Sequence, residues 1–588
     1  MDPANLITLD NLSEQLPQWR PDDENHLHAV VDMGSNGIRF SISSLAPPKT
    51  RLLMPVYTTR AAISLYDALA SSPSGHDFPQ ATIEAVSSTL ARFRQLALMH
   101  RVPPANMAIL ATEAMRRAAN AAQMLDAIAA ATDGLRVQVL DPPVETLFGA
   151  VMGSRSGLVD VRGGALFLDL GGGSVQMTWV DTDGDLYEMD AAAAGESLPY
   201  GAARLMRILD EEPDEVQDKE IGKLHGGIRQ IYANLGAKFP ALQAINNAHE
   251  RGDEGAVVNV YMCGGGFRGY GSMLMHNDAI SPYPLSSTNG YSAPCRFFCQ
   301  TAEMSRVNEE YDGKIFGLSK RRRRQFPAIV AVIDAFVAAV PNLGRVTFCG
   351  GSNRQGVLMM KLPLHIRESN PLDVLSPVSQ AERKPFDAAL HLLSAALPAG
   401  LASSGVPTIF SLGLGPLLVR EIWDRAGHGA DANSAFALHT SIVRDSESPG
   451  LTHLVRAVLG LSACARWACH LCPADARLFQ GLRRVADSHH EDASFWAIYV
   501  GAVSSILASL FPVMPQDARH LLDTVRFDTH RVPGNKGKRD KIVLKIGVAS
   551  ACAEFVDTEG LADSFESTMS RKETRHTFKV IAQFAALS

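Results

Sequence analysis

The sequence predicts an α/β protein built from a duplicated domain with a cleft between its two halves. The first observation is a pair of apolar strands that each end in Asp and run into a glycine turn, Val31–Arg39 and Leu168–Gln176. The second is that two later strands also run into glycine, Val257–Met262 into Gly264 and Arg345–Cys349 into Gly350. Four such junctions in two halves predict one fold repeated twice.

The residue types in the two Asp–glycine turns predict a phosphate site. Glycine adopts positive φ and lets backbone N–H groups approach a phosphate, and an Asp at the strand end can hold a divalent cation or its water. Each turn also carries Ser beside its glycines, namely Ser35 and Ser174. Together they predict a cleft that holds a chain of phosphates from both sides. The alternative is two tight turns that only reverse the strands.

Length and composition set limits on the function. The chain has 588 residues, 46% hydrophobic and 20% charged, so about three globular domains are expected. The net charge of −7 gives no general attraction to nucleic acid or to anionic lipid, so neither partner is predicted. Eight cysteines and no signal-peptide pattern over residues 1–20 predict free thiols and a cytoplasmic protein with access to the nucleus.

The expected elements follow in chain order. Residues 1–25 are polar and predict a flexible tail, and His28–Ser44 predicts a hairpin. Hydrophobic periodicity then predicts these elements of the first half: helix Phe78–Met99, strand Asn106–Ala111, helix Glu113–Ala131, strand Leu135–Leu140 and helix Val144–Met152.

The second half repeats this plan. Ala165–Leu170 is a predicted strand, and Gln176–Val180 with Leu186–Met189 is a predicted hairpin. Helix Pro327–Val340 follows the basic run Lys320–Arg324. Three interpretations of that run stay open: a nuclear-import signal, a contact with a polyanion, or a solvated helix approach.

Two long stretches without Asp, Glu, Lys or Arg are long enough to cross a membrane, Ala388–Val419 and Phe495–Met514. Prolines, glycines and serines interrupt both, which favours buried helices of a domain that does not enter a membrane. After them, Thr524–Thr529 and Ile542–Ala549 predict a small sheet. His489–Asp492 and the Cys464–Cys472 segment could bind metal, but a polar helix start and core thiols are the favoured interpretations.

Five motifs, in order, carry a resemblance: Asp32–Arg39, Ala111–Arg116, Glu145, Asp169–Ser174 and Arg354–Leu358. This set resembles the exopolyphosphatase and guanosine pentaphosphate phosphatase family over about Ala29 to Leu362. The resemblance implies the actin-like ATPase fold, with two RNase H-like halves, and a C-terminal mainly helical HD-like domain without a His-Asp dipeptide. The expected domains are 26–145, 146–360 and 361–588, the last ending in a small α/β part.

The resemblance also implies roles for individual residues. Asp32 and Asp169 would hold Mg²⁺, Arg39 and Arg116 would neutralise phosphate charge, and Glu145 would be the general base. The phosphate cradle would be formed by Gly34, Ser35, Asn36, Gly171, Gly172, Gly173 and Ser174. Arg39 could instead be a solvent-facing strand residue, and Glu145 could be a helix-start carboxylate stabilised by the helix dipole.

Two departures from the family pattern bear on hydrolysis. The family usually has a run of adjacent acids where this chain has Asp141–Leu147, and it has Glu where this chain has Gln176. Losing that carboxylate would weaken hydrolysis and leave phosphate binding in place. The favoured function is therefore a polyphosphate- or nucleotide-binding signalling protein that acts through regulatory protein partners on transcription. The alternatives are an active phosphoanhydride hydrolase and a sugar or acetate kinase, and no sugar- or acyl-binding set is recognisable for the kinase.

Overall fold

The computed structural model describes residues 5–72, 74–159, 161–398, 408–425, 430–443, 449–534, 539–572, 574 and 578–587. The chain divides into two units. The first contains Met1–Asp278, Ser286–Ser369 and Glu447–Gly450, and the second contains Ala279–Leu285, Asn370–Ser446 and Leu451–Ser588. Each unit is described by itself below.

The first unit contains two six-stranded sheets. The strands of the first sheet are β1 (Leu6–Ile7), β2 (Leu27–Gly34), β3 (Gly37–Ser44), β4 (Met54–Ala61), β5 (Met107–Ala111) and β6 (Val137–Leu140). Their order across the sheet is β1-β6-β5-β2-β3-β4. Strand β2 is antiparallel to β3 and parallel to β5.

The second sheet repeats this topology. Its strands are β7 (Ala165–Leu170), β8 (Val175–Val180), β9 (Glu196–Leu198), β10 (Val258–Cys263), β11 (Ser292–Pro294) and β12 (Leu343–Phe348), in the order β11-β12-β10-β7-β8-β9. Strand β7 is antiparallel to β8 and parallel to β10. In each sheet a central hairpin is extended by a third antiparallel strand on one side and by two parallel strands on the other, which confirms the predicted duplicated α/β fold. The sixth strand differs, since edge strand β1 is parallel to β6 and edge strand β11 is antiparallel to β12.

Helices connect the strands of the first unit. They are Leu12–Gln15, Thr50–Leu52, Leu65–Ala70, Gln80–Met99, Pro104–Asn106, Glu113–Arg117, Ala121–Ala131, Pro142–Thr146, Leu147–Gly153, Tyr187–Ala194, Ala202–Glu211, Asp214–Lys238, Pro240–Glu250, Gly264–His276, Cys295–Phe298, Thr301–Glu310, Lys320–Arg324, Phe326–Ala339, Asn353–Lys361 and Leu364–Arg367. Gln80–Met99 buries Ile83, Val86, Leu90 and Phe93, the spacing from which it was predicted.

The N-terminal segment is not a flexible tail over its described part. Strand β1 pairs in parallel with β6, and Leu12, Leu16 and Trp19 are buried in the core. The backbone N–H of Trp19 donates to the carbonyl of Lys361 at 3.0 Å. These apolar side chains are widely spaced among polar residues. The composition of the segment therefore predicted a flexible tail, although it contains an edge strand and a short helix. Residues 1–4 lie outside the described residues.

Two other elements differ from the prediction. Leu186–Met189 is not a strand, because helix Tyr187–Ala194 buries Tyr187 and Ala191 four residues apart, and β9 takes the place next to β8. The predicted helix Glu113–Ala131 is two helices with a break at Asn120. The Asn120 side chain bonds both backbone groups of Phe78, at 2.8 and 3.0 Å, which stabilises the break.

The second unit is mainly helical. Its helices are Pro371–Leu375, Arg383–Ala395, Thr408–Ser411, Gly415–Trp423, Ala430–Val443, His453–Arg466, Pro473–Asp487, Ala493–Leu510, Ala518–Thr524, Ser550–Ala553 and Thr558–Ser570. A three-stranded sheet contains β13 (Val525–Val532), β14 (Lys541–Ala549) and β15 (Lys579–Leu587), with β14 in the centre. The predicted pairing of the first two strands is confirmed, and it is antiparallel.

Among the described residues, one helix is long and apolar enough to cross a membrane, Ala493–Leu510, and 89% of it is buried inside the protein. It packs closely on another helix, since a Cβ at Gly501 would lie 2.2 Å from the carbonyl oxygen of Ser462. Such a close approach is typical of a core helix, as predicted for this stretch.

Candidate functional site

A cavity of about 130 Å³ in the first unit, called the cleft below, brings the two Asp–glycine hairpins together. Of the predicted site residues it is lined by Asp32, Gly34, Ser35, Asn36, Arg39, Glu145, Asp169, Gly171, Gly172, Gly173 and Ser174. Its other lining residues are Gly37, Arg60, Thr112, Ala202, Gly264, Gly265, Gly266, Arg268, Ser319, Arg321, Arg322, Gln325, Gly351, Ser352 and Asn353. All four strand-to-glycine junctions therefore contribute to one cavity.

The first glycine loop is the turn between β2 and β3, where Gly34 pairs with Gly37. Gly37 has a φ of +154°, and a Cβ there would lie 2.8 Å from Arg60 Nε. Arg60 Nη2 donates to the carbonyl of Asn36 at 2.7 Å. Glycine is needed at position 37 because any side chain would displace this arginine, which holds the loop against β4.

The second glycine loop is the turn between β7 and β8. The backbone N–H groups of Ala202 and Ala203, at the start of a helix, donate to the carbonyls of Gly171 and Gly172 at 3.0 Å each. In a trans peptide the N–H points away from the carbonyl. The N–H groups of Gly172 and Gly173 therefore point away from that helix and are suited to contact an anion in the cleft.

The two loops contact each other across the cleft. A Cβ at Gly172 would lie 2.5 Å from Asn36 Nδ2, so the side chain of the first loop is packed directly on the backbone of the second. The strand register also places the two aspartates at equivalent positions of the two hairpins. Asp32 is opposite Arg39 in the first hairpin, and Asp169 is opposite Gln176 in the second.

Two aspartates lie at the strand ends with oxygens that lack protein partners. Oδ1 of Asp32 and Oδ1 of Asp169 are buried and accept no hydrogen bond from any described residue. Burial raises the pKa of Asp169, as does the nearby Asp32, while Arg268 and Arg39 oppose the rise. Backbone crowds the Asp169 carboxylate, since a Cβ at Gly264 would lie 2.1 Å from its Oδ1.

This donor set fits a hard divalent cation. Mg²⁺ is typically bound by one or two carboxylates and completes its coordination with phosphate oxygens and water. No group of three or more His, Cys, Asp and Glu side chains is placed for metal binding in the described ranges. A cation at Asp32 and Asp169 would therefore take its other ligands from the anion and from solvent.

Glu145 lines the cleft and is 9% exposed. It lies on helix Pro142–Thr146. Asp141 is the N-cap of this helix, and its side chain accepts a hydrogen bond from the backbone N–H of Val144 at 2.9 Å. Arg116 Nη2 lies 2.9 Å from Glu145 Oε2. Burial raises the pKa of Glu145, whereas Arg116 and the nearby Gln176 amide lower it. Arg116 is the one predicted site residue not in the cleft lining, and its position fits orienting Glu145 and not phosphate contact.

Five arginines line the cleft, Arg39, Arg60, Arg268, Arg321 and Arg322, against three carboxylates. Burial, together with repulsion from Arg268, Arg39 and Arg60, lowers the pKa of Arg322 to about 9. Cations gathered at this density favour a multiply charged anion between them. Of these five arginines, only Arg39 was among the site residues that the family resemblance implied.

The sequence contained one signal for the cleft arginines that were not predicted, namely the basic run Lys320–Arg324. The run forms a short helix, and Arg321 and Arg322 lie in the cleft wall while Arg324 is exposed. The interpretation as a solvated helix approach is therefore wrong for those two residues. Arg60 and Arg268 were missed because nothing local distinguishes them. Ser352 and Asn353 follow the glycine junction at Gly350, which was the signal that could have found them.

Two family models and one curated relative match this chain. Residues 45–242 match the Ppx/GppA phosphatase family, and residues 370–574 match the RTG2 C-terminal domain. The chain is 29% identical over 505 residues to "Retrograde regulation protein 2" of Saccharomyces cerevisiae, an alignment that covers 83% of this chain and 81% of that protein. This chain carries a Ppx/GppA domain and an RTG2 C-terminal domain.

Solved structures also align with part of the chain. An exopolyphosphatase from Cytophaga hutchinsonii is 19% identical, with a TM-score of 0.43, over 57% of this chain and 97% of that one. The Aquifex aeolicus PPX-GPPA enzyme is 18% identical, with a TM-score of 0.42, over 56% of this chain and 98% of that one.

Within the Ppx/GppA domain, the structure places both departures from the family pattern beside Glu145. Gln176, where the family pattern has Glu, is 3% exposed and lies opposite Asp169 in the register of β7 and β8. In the altered segment Asp141–Leu147, Pro142 and Pro143 form the first helical turn, so Asp141 caps the helix and Glu145 is the acid that reaches the cleft. The first unit thus has both glycine loops in one cavity, with Glu145, Asp32 and Asp169 as the acids that line it.

Proposed function

We propose that this chain is a regulatory protein that binds polyphosphate or a nucleoside polyphosphate in the cleft, with weak or no hydrolysis. Its homology to a retrograde regulation protein supports a role in relaying metabolic state from mitochondria to nuclear transcription. The observation that carries the proposal is the meeting of both glycine loops, two strand-end aspartates and five arginines in one cavity.

Magnesium is the proposed cofactor, held by Asp32 and Asp169. Ppx/GppA phosphatases generally use a divalent metal. When bound, the ion would neutralise phosphate charge and bring the anion to the two glycine loops. The buried Oδ1 atoms without protein partners support this assignment.

Weak hydrolysis is proposed because of the surroundings of Glu145. A general base must accept a proton from the attacking water, so its oxygens must be available. Here Arg116 forms an ion pair with the Glu145 carboxylate and, together with the nearby Gln176 amide, favours its charged form. Gln176 cannot itself accept a proton or bind a cation as a carboxylate would.

The second candidate is an active exopolyphosphatase or guanosine pentaphosphate phosphohydrolase that uses Glu145 as its general base. One observation favours it: Glu145 lines the same cavity as the phosphate loops, and burial raises its pKa. A buried carboxylate with a raised pKa is a stronger base than an exposed one.

One experiment separates the two candidates. The full chain is titrated calorimetrically with polyphosphate, guanosine pentaphosphate or ATP in the presence of Mg²⁺, and phosphate release is measured on the same samples. The regulatory proposal expects binding that is lost in Asp32→Asn and Asp169→Asn and kept in Glu145→Gln. Asp183→Asn, in an exposed turn, is the matched control and should bind as the wild type does.

The outcomes are distinct. Phosphate release that Glu145→Gln abolishes would establish the hydrolase. Absence of both binding and release with all three ligands would contradict both candidates, because each requires a phosphate in the cleft.

Cytoplasmic and nuclear location and action through regulatory protein partners belong to the same proposal. The net charge of −7 supports protein partners over direct nucleic-acid binding. Imaging of a tagged chain with and without mitochondrial stress tests the location. Confinement to another compartment would contradict it.

A further inference from the structure

Cys295 and Cys299 place two sulfurs in contact at the surface of the first unit. They bracket the short helix Cys295–Phe298 that follows edge strand β11, and their Sγ atoms are 3.2 Å apart. The N–H of Cys299 donates to the carbonyl of Cys295 at 2.9 Å, so one helical turn fixes their spacing. Both side chains are half-buried and therefore open to a small reagent in solution.

Another neighbouring pair in the chain lacks this access. Cys464 and Cys469 interact with each other, but they are only 0% and 2% exposed. Both pairs are free thiols. Reaction with a dissolved oxidant requires access as well as proximity, which Cys295 and Cys299 combine.

We propose that Cys295 and Cys299 are a reversible thiol-oxidation site that reacts with a low-molecular-weight disulfide such as glutathione disulfide. A disulfide bond is about 2.05 Å long, so the two sulfurs need to approach by roughly 1 Å. Residues one helical turn apart have Cα atoms about 6 Å apart, which is within the range that disulfides span.

The reaction balances with glutathione disulfide as oxidant. The Cys295 thiolate attacks one sulfur of glutathione disulfide, forms a mixed disulfide and releases one glutathione thiolate. Cys299 loses its proton to water and attacks the Cys295 sulfur, and the second glutathione leaves. Two protein thiols are oxidised and one glutathione disulfide is reduced to two glutathiones.

The surroundings assign the order of the two cysteines. Burial, the Cys295 sulfur and Asp334 together raise the pKa of Cys299, which favours its thiol form. Cys299 therefore acts second, after the mixed disulfide at Cys295 has brought an electrophilic sulfur beside it.

The pair is also close to the wall of the cleft. Phe298, between the two cysteines, accepts a hydrogen bond at its carbonyl from the Tyr270 hydroxyl at 2.7 Å. Tyr270 lies on helix Gly264–His276, whose first three glycines line the cleft. A change at the cysteines thus lies one hydrogen bond away from a helix of the phosphate site.

The test is peptide mapping of the full wild-type chain. The reduced protein is incubated in glutathione buffers of increasing disulfide fraction, its remaining thiols are alkylated, and it is digested with trypsin. Cleavage after Arg268, Arg296 and Arg306 places Cys295 in peptide 269–296 and Cys299 in peptide 297–306. The disulfide therefore appears as these two peptides joined, two hydrogens lighter than their sum.

As the disulfide fraction rises, we expect the joined peptides to replace the separate alkylated peptides. The amount of the alkylated peptides should fall to about a tenth of that in the reduced sample, and dithiothreitol should restore it. Cys299→Ser should stop at the mixed disulfide on Cys295. Cys464 and Cys469 serve as the internal control. Because they are buried, their thiols should not react with glutathione disulfide and should become alkylated only when the protein is denatured. Independent alkylation of Cys295 and Cys299 at every buffer ratio, or separate glutathione adducts on both in the wild type, would overturn the proposal.

Discussion

Arg321 donates to Asn36 across the cleft, with 2.8 Å between Nη2 and Oδ1. The same guanidinium group donates to Ser64 and forms an ion pair with Asp67, each at 3.0 Å. One arginine from the basic run thus joins the second half of the first unit to the glycine loop of the first half. It is both a positive charge in the cleft and a tether of the loop.

We predict that Arg321→Gln weakens polyphosphate binding about tenfold, because a charge-assisted contact and the tether of Asn36 are both lost. The measurement is calorimetric titration at fixed ionic strength. Arg324→Gln is the matched control, since it removes the same charge from the exposed side of the same short helix. Equal losses in both variants would mean that only the overall charge of the helix matters.

We predict that Gly264→Ala abolishes ligand binding while Gly252→Ala does not. The two glycines have similar positive φ values, +87° and +91°, so either substitution costs about 1–2 kcal/mol of backbone strain. A Cβ at Gly264 would lie 2.1 Å from Asp169 Oδ1, whereas a Cβ at Gly252 meets no described atom within 4 Å. A Cβ at Gly264 would also lie 2.5 Å from the carbonyl oxygen of Leu170, so Gly264→Ala should melt at a lower temperature than Gly252→Ala. Binding lost only in Gly264→Ala, measured below its melting temperature, would support this argument, and binding retained in both would contradict it.

The sequence predicted those parts of the site that local patterns encode. Strand Ala165–Leu170 was predicted at its observed limits, and both Asp–glycine turns are hairpin turns in the cleft. These features depend on alternation of apolar residues and on glycine conformation, which act within a few residues. The duplicated fold could be inferred because the same pattern occurs twice.

The missing parts of the site depend on tertiary contacts. Arg60 and Arg268 reach the cleft because their strand and helix pack beside the loops, and nothing in their local sequence differs from that of a surface arginine. Arg116 carried a motif-based role in phosphate binding, but its ion pair with Glu145 could be seen only once both helices were placed. The burial of Trp19 likewise needed the position of Lys361.

We predict that His28 makes the first unit less stable as pH falls from about 6.5. His28 on β2 is 5% exposed, and burial, together with Lys361 and His26, lowers its pKa to about 3. An unfolded chain binds the proton with a pKa of about 6.5, so between the two pKa values protonation favours unfolding by about 1.4 kcal/mol per pH unit. Above pH 6.5 both states are neutral and the effect is absent.

His28→Leu should therefore flatten the loss of thermal stability between pH 7.5 and pH 5 relative to the wild type, by about 2 kcal/mol at pH 5. His365→Leu, at an exposed histidine, is the control and should follow the wild-type curve. Parallel curves for the wild type and His28→Leu would show that His28 is protonated in the folded protein.

We predict that Gln176→Glu raises phosphate release from polyphosphate at least about tenfold in the presence of Mg²⁺, because it returns a carboxylate to the position where the family has Glu. Gln176 is buried beside Glu145 and opposite Asp169, so the new charge should also lower the melting temperature, and Mg²⁺ with polyphosphate should restore much of the loss. The double variant Gln176→Glu, Glu145→Gln should bind and not hydrolyse. If Gln176→Glu folds and binds polyphosphate yet releases no more phosphate than the wild type, the amide is not what limits hydrolysis, and the altered segment around Glu145 becomes the remaining cause.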